Sequence, residues 1–424
     1  MDLKLCRIFA RKLTKLFIIN LNNMRNLNNM RVFLSLMIAV AFTINISAQN
    51  SRRDSINNPN YQVNTAQRLL NGNINTKGVT VGGYAELTYN RKEAKNAELD
   101  VQRLVLLFGY KFDDRTQFIT EIEFEHVNEV YVEQAFLQYS VSDNVNLRAG
   151  LMLVPMGIIN EYHEPTTFNG VERPSIDGAI IPTTWREIGV GVSGRYNEAS
   201  LRYQAYIFNG FESTTFDADG TTIVGNLGGS KGLRGGRQKG AKSTMNNINF
   251  SGKVDYYGIP GLRLGLSGYF GRTQSPVELE ATAGADVGLA MLGFDARYAY
   301  KRFTARGQFI NGNISDSEAY NNLTGKDLGS QIQGYYLEAA YNLLPQNKRQ
   351  QLFGFVRFED FDTHAATEGS LLRKESYDRQ EWTLGLSYKI ARGAVVKADY
   401  QFKDNAVVGS ETVGQLNFGV GVWF

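Results

Sequence analysis

Cysteine, histidine and proline are all scarce in this 424-residue chain, which has one Cys, three His and eight Pro. The single cysteine, Cys6, sits near the N-terminus, so the remainder can form neither disulfides nor thiolate metal sites. Three histidines, His126, His163 and His364, leave an enzyme little to work with, and no serine stands in a nucleophile elbow. The glycine-rich stretch from Gly225 to Gly240 lacks the strand-to-helix context of a phosphate-binding loop. Beyond the N-terminal region no apolar run reaches the ~20 residues that a spanning helix needs. Catalysis and helical membrane insertion are therefore disfavoured, and no cofactor is called for.

The N-terminus reads as an address. Arg25 and Arg31 precede an apolar run from Val32 to Ile46, and Ser47-Ala48 offers small residues for cleavage before Gln49. Residues 1–48 are expected to be a signal peptide, with translation beginning at Met1, Met24 or Met30; the run is short for an inner-membrane anchor. The formal charge of +3 includes that segment. Without Lys4, Arg7, Arg11, Lys12, Lys15, Arg25, Arg31 and Asp2, 38 basic residues face 41 acidic ones, a net charge of −3. Such a balance gives no reason to expect nucleic acid as a partner.

What is abundant is glycine (43) and aromatic side chain (25 Phe, 22 Tyr, 3 Trp), a composition that suits strands. Residues 49–78 are polar and Asn-rich, and are expected to form a periplasmic lead. From Val79 to Phe424, short segments of alternating apolar and polar residues recur. In Val145–Leu153, Val145, Leu147, Ala149, Leu151 and Leu153 share one face, with Asn146, Arg148, Gly150 and Met152 on the other. The same alternation runs through 248–256 and 394–402.

Tight turns at 113–114, 142–144, 197–198, 258–261, 301–302, 344–348 and 391–393 interleave with longer polar connections. These lie at 92–97, 126–130, 154–184, 211–245, 272–287, 311–331, 362–377 and 404–412. Seven turns and eight loops imply an all-β, transmembrane antiparallel β-barrel of about 16 strands over 79–424, short turns periplasmic and long loops outside. A closed barrel also supplies stability to an exported chain without disulfides, through an unbroken ring of interstrand hydrogen bonds. Leu416, Phe418, Val420, Val422 and Phe424 share one face of the last strand, and an aromatic at the strand end suits the interfacial girdle.

The stretch Leu151-Met-Leu-Val-Pro-Met-Gly-Ile-Ile-Asn-Glu-Tyr-His-Glu-Pro165, continued by Gly170-Val-Glu-Arg-Pro174 and Ile181-Pro-Thr-Thr-Trp-Arg-Glu187, resembles the phosphate-selective porin O and P family, especially its members in Bacteroidetes. The likeness in strand layout covers Val79 to Phe424, with the specific motif between Leu147 and Gly194. It implies a sixteen-stranded outer-membrane porin, a homotrimer, that passes small hydrophilic solutes or ions by diffusion. It also implies a third external loop, here Val154 to Thr184, folded inward to narrow the pore. Independently of the family, Pro155, Pro165, Pro174 and Pro182 argue for a fixed path through that loop.

The residues expected to line the pore are Glu161, Glu164, Glu172 and Arg173 in the loop, facing Arg148, Arg195 and Arg202 on the wall. Lys253, Arg263, Arg306 and Lys397 also fall on polar strand faces, and so do Glu121, Glu123, Glu125, Glu187, Asp255, Glu338 and Asp399. Most of these charges are expected to pair across strands as in general porins. Phosphate is a candidate solute, although the 154–184 loop contains no Lys and only Arg173. The basic loop 211–245 carries Lys231, Arg234, Arg237, Lys239 and Lys242. It reads first as a solvated tip touching lipopolysaccharide phosphates, and second as an anion trap. Glu121, Glu123, Glu125 and His126 could hold a divalent ion, but lumen carboxylates facing arginines such as Arg148 are the simpler expectation. A plugged transporter would need more strands, which leaves a non-conducting structural or adhesive barrel as the alternative function.

Overall fold

The computed structural model describes residues 78–424, so the signal peptide and all of the lead but Gly78 lie outside the described residues. Apart from an eight-residue helix at Ser317–Thr324 and a few single turns, the regular structure of the described residues is made of strands. In order these are β1 (Gly78–Lys92), β2 (Ala97–Lys111), β3 (Thr116–Glu125), β4 (Glu129–Ser142), β5 (Val145–Leu153), β6 (Arg186–Tyr196) and β7 (Leu201–Phe208). A small hairpin, β8 (Thr214–Phe216) and β9 (Ile223–Gly225), follows. Then come β10 (Asn249–Tyr256), β11 (Leu262–Arg272), β12 (Gly288–Tyr300), β13 (Phe303–Ser315), β14 (Gln331–Asn342), β15 (Gln351–Ala366), β16 (Asp378–Ala391), β17 (Ala394–Asn405) and β18 (Val413–Trp423).

All but the β8–β9 hairpin form one closed antiparallel barrel of sixteen strands, each paired with its neighbour along the chain. β1 and β18 close the ring, sealed by the Gly83 amide donating to the Phe424 carbonyl at 3.1 Å and the reverse bond at 3.0 Å. Each of the seven expected turns joins a strand pair. The one clear difference is at β13 and β15, which continue to Ser315 and Ala366, beyond where the sequence suggests loops beginning at Asn311 and Asp362. Past Phe309 the outward positions of β13 turn polar (Asn311, Asn313, Ser315) while Ile310 and Ile314 are buried on the inner face, so the apolar-out pattern ends while the hydrogen-bonded ladder carries on: Asn313 still pairs with Ala290 and Ser315 with Gly288.

Alternation separates two environments. On β10, Phe250, Val254 and Tyr256 are exposed, while Asn249, Ser251, Lys253 and Asp255 are buried. On β17, Val396 points out, and Lys397, Asp399 and Gln401 point in and are buried. Apolar outside and polar inside is the inverse of a soluble sandwich, and it is the arrangement that lipid requires. Leu292, in β12, is 57% exposed on the outward face. Leu292→Arg is expected to lower stability by ~2–4 kcal/mol if it sits near the bilayer midplane, as read by guanidinium unfolding in lipid vesicles. A change below about 0.5 kcal/mol, usual for ordinary surface sites, would mean that this face does not meet lipid.

Candidate functional site

The connection between β5 and β6 is irregular yet closely anchored to the barrel wall. Its only helix is a single turn, α1 (Ile176–Ala179). Met156, Ile158, Ile159, Ile176, Ile180, Ile181 and Trp185 are all buried, in one cluster with Met291, Ile310, Ile332, Tyr336 and Phe361 from the barrel wall. The loop is thus apolar because it packs, and the wall strands carry apolar residues on their otherwise polar face where it does so. Gly157 allows the tight entry: its φ is +69°, and a Cβ there would lie 2.7 Å from Gln308 Oε1. Trp185 stacks on Phe211 with ring centroids 4.5 Å apart, lies 4.7 Å from Tyr269, and donates its indole N–H to Glu187 at 2.7 Å.

Polar bonds then tie the segment to wall side chains of many strands. Lys253 Nζ (β10) donates to the Gly157 carbonyl at 2.5 Å, and Gln308 (β13) accepts from the Ile158 amide at 2.7 Å. Glu161 receives Arg202 at 2.8 Å and Gln204 at 2.7 Å, with Lys253 at 3.4 Å. The Tyr162 hydroxyl accepts from Arg202 at 2.9 Å and Arg263 at 3.2 Å. Further along, Asn169 donates to Glu338, Lys397 to the Gly170 carbonyl, the Val171 amide to Asp399, and Ser175 to Glu381, all at 2.6–2.8 Å. Behind these lie buried ion pairs within the wall, including Arg306–Glu338 at 2.9 Å and Arg357–Glu359 at 2.8 Å.

Beside the segment lies a polar cavity of about 440 Å³. Its wall comes from Asn90, Gln102, Arg103, Glu123, Glu125 and Tyr131 on β1–β4, from Arg186 on β6, and from Lys403 and Gln415 on β17 and β18. Glu172, Arg173, Asp177 and Thr183 line it from the segment; Arg234, Arg237 and Lys239 reach it from the β7–β10 connection. Seven basic residues therefore face four acidic ones. Arg103 is neutralised by Glu86 (3.3 Å) and Glu123 (3.2 Å), and Arg186 lies 3.6 Å from Glu133. Arg234 and Arg237 instead both donate to the same neutral acceptor, the Thr183 carbonyl, at 2.8 and 2.7 Å.

Burial, reinforced by the neighbouring guanidiniums, pushes Arg234 and Arg237 down from the usual arginine range, and burial does the same to Lys239. A guanidinium keeps its proton in proteins, so the positive charges stay crowded there. Of the basic loop read as a solvated tip, Lys231 and Lys242 are exposed, but Arg234, Arg237 and Lys239 turn to the cavity. Gly228, Gly229 and Gly232, all at positive φ, give that loop the bends it needs to return.

Of the residues singled out from sequence, Glu172 and Arg173 line this cavity. Glu161 and Arg202 meet in an ion pair, and Arg195 stands opposite Arg202 in the β6–β7 register. Glu164 is buried, and Arg148 donates to Gln138 and to Tyr206. Glu121 and Glu123 do not face Arg148: Glu123 pairs with Arg103, and Glu121 accepts from Gln134 at 2.5 Å. His126 bonds Asp100 at 2.6 Å and, of those glutamates, stands 4.0 Å from Glu125. Of the residues not singled out, Arg103, Asp295, Arg297 and Arg357 follow the same inward alternation and are legible in the same way; Glu133 sits at a bulge in β4 and Arg186 at the start of β6, in the phase of outward Ile188, so alternation does not mark them.

The sequence profile of the phosphate-selective porin O and P family matches residues 75–390. An uncharacterized protein of Aquifex aeolicus (strain VF5) is 32% identical over 349 residues, which is 77% of this chain and 76% of that one. Among solved structures, the fold is similar to the anion-selective porin from Comamonas acidovorans (13% identity, TM-score 0.52, covering 82% of this chain and 100% of that one). It is similar also to Salmonella typhi OmpF in complex with daunomycin (10%, TM-score 0.54, 82% and 98%) and to the trimer form of Vibrio cholerae OmpT (11%, TM-score 0.51, 82% and 100%). The chain belongs to the phosphate-selective porin O and P family. It is a bacterial outer-membrane channel for the diffusion of small solutes.

Proposed function

We propose that this channel prefers anions, phosphate among them, and that segment 154–185 crosses the barrel interior as its constriction. The observation that carries the preference is the pairing of Arg234 and Arg237 on one neutral carbonyl beside Arg173, Arg186 and Lys239, in a polar cavity at the long-loop end. Guanidinium groups suit the oxygens of phosphate and carboxylate. The bonds from the segment to Arg202, Lys253, Gln308, Glu338 and Asp399 support a fixed constriction. In this reading Glu172 and Arg173 meet the solute, while Glu161, Glu164, Arg148, Arg195 and Arg202 hold the passage in shape. Exposed Lys231 and Lys242 are left for lipopolysaccharide phosphates, and the outward apolar face for lipid. A homotrimer is part of the proposal, as in the OmpT form of similar fold, and the segment 1–48 is proposed to direct export.

The test is single-channel recording of the mature protein in planar bilayers under a KCl gradient at low ionic strength, where screening is weakest. The expected reversal potential is that of an anion-preferring pore. In the variant carrying Arg234→Ala and Arg237→Ala, the anion-to-cation permeability ratio should drop roughly sevenfold, because a change of about one kT in local potential acts oppositely on the two ions. A wild-type pore that favours cations would overturn the preference. Absence of conductance from correctly folded protein would favour an adhesive or structural barrel instead.

A further inference from the structure

We propose that Glu121, Glu133 and His163 form a binding site for one divalent transition-metal ion, with zinc the best match. One ligand atom from each lies within 4.8 Å of the others, and all three side chains are buried. They come from three separate places, β3, β4 and the β5–β6 segment, so no sequence spacing announces them. His163 Nε2 is 3.3 Å from Glu133 Oε2 and 3.7 Å from Glu121 Oε1. A tetrahedral ion with bonds of ~2.0–2.1 Å holds its ligand atoms roughly 3.4 Å apart, so small movements suffice.

The second observation concerns what surrounds the three. His163 Nδ1 lies 3.1 Å from the Asn160 carbonyl oxygen; donating to it fixes the tautomer in which Nε2 presents a lone pair. Nε2 itself, in a residue only 2% exposed, makes no hydrogen bond, and neither does Glu133 Oε1. The second oxygen of Glu121 is oriented by Gln134 at 2.5 Å. The Tyr84 hydroxyl, 3.2 Å from Glu121 and 3.5 Å from Glu133, stands where a fourth ligand or a bound water would be held. One imidazole and two carboxylates form a borderline donor set that suits zinc better than magnesium or calcium, which favour oxygen alone.

The competing arrangement is a protonated His163 paired with both carboxylates. Glu86, Glu121, Glu123 and Glu133 stand near Arg103, Arg173 and Arg186, a residual charge of −1 that an imidazolium balances; a divalent ion beside a neutral imidazole leaves the cluster at +1, so zinc must win on coordination and not on charge. A metal here would clip the segment to β3 and β4, next to the cavity that Arg186 lines.

The measurement is zinc titration of the chelator-treated, full-length mature barrel in detergent, by calorimetry, with X-ray absorption of the zinc-loaded wild type. One equivalent per chain is expected, with an absorption spectrum showing a single imidazole and oxygen ligands. Loss of an outer-shell partner costs roughly 10–100-fold in affinity, so His163→Gln and Glu121→Gln should each cost at least about a hundredfold, while His126→Gln and His364→Gln change nothing. Zinc that fails to bind wild type at millimolar concentration, binds equally to His163→Gln, or shows no imidazole overturns the proposal and leaves the ion-paired histidine. The absorption spectrum decides the matter even if a variant does not fold.

Discussion

Replacing Lys253 by methionine is expected to cost ~3–5 kcal/mol of stability, the usual penalty for stranding a buried opposite charge, and to enlarge the pore. The ammonium is inaccessible to water and meets three oxygens at once: Asp295 at 2.9 Å, Glu161 at 3.4 Å and the Gly157 carbonyl at 2.5 Å. Methionine fills the volume but strands Asp295, leaving it Arg297 at 3.6 Å. It also releases the 154–185 segment at its entry. Guanidinium unfolding in lipid vesicles and single-channel conductance check the two halves. A loss near 1 kcal/mol, typical of exposed pairs, would mean that water reaches the ammonium. Unchanged conductance would mean that the segment's entry does not limit flow.

Trp185→Ala should cost a similar ~3–5 kcal/mol, as large buried aromatics do, with a consequence that no charge change produces. Trp185 joins two connections. Its backbone bonds Val154 and Asn160 within one, and its ring stacks on Phe211 of the other. The Thr183 carbonyl that gathers Arg234 and Arg237 lies two residues away. Losing the ring should therefore let the two arginines drift from the cavity and weaken the anion preference, although every basic residue remains. Reduced stability with an unaltered reversal potential would show that the arginines hold their place without the aromatic stack.

The barrel was open to reading because lipid outside and polar groups inside impose a period of two on every strand, and turn residues mark where it resets. Lys253, Asp255, Lys397 and Asp399 could be assigned inward from that rule alone. Which inward residues meet could not be. Partners across the barrel depend on strand register and on the path of an irregular segment; alternation alone lets Glu123 face Arg148 as readily as Arg103, its neighbour in the fold. His163 had no visible partner because Glu121 and Glu133 lie on other strands. The inward turn of Arg234, Arg237 and Lys239 was hidden for a related reason. A glycine-rich basic stretch looks the same whether its tip meets solvent or folds back, and the decisive acceptor, the Thr183 carbonyl, leaves no mark in side-chain pattern.

The seam between β1 and β18 sets the order in which such a molecule can be made. Every other pairing joins consecutive barrel strands, most of them as local hairpins, with β5–β6 and β7–β10 joined across the long connections 154–185 and 209–248. The pairing of Tyr84 with Trp423 brings together opposite ends of the described chain. Loop-closure entropy grows only logarithmically with length, but non-local contacts formed last govern folding speed. Until that seam shuts, both flanking strands present unpaired backbone groups to the bilayer, where each costs several kcal/mol. The seam is therefore the expected bottleneck of assembly: a bond-breaking change there, such as proline at Ala85 or Val420, should stall assembly as an open sheet far more than the same change in a hairpin.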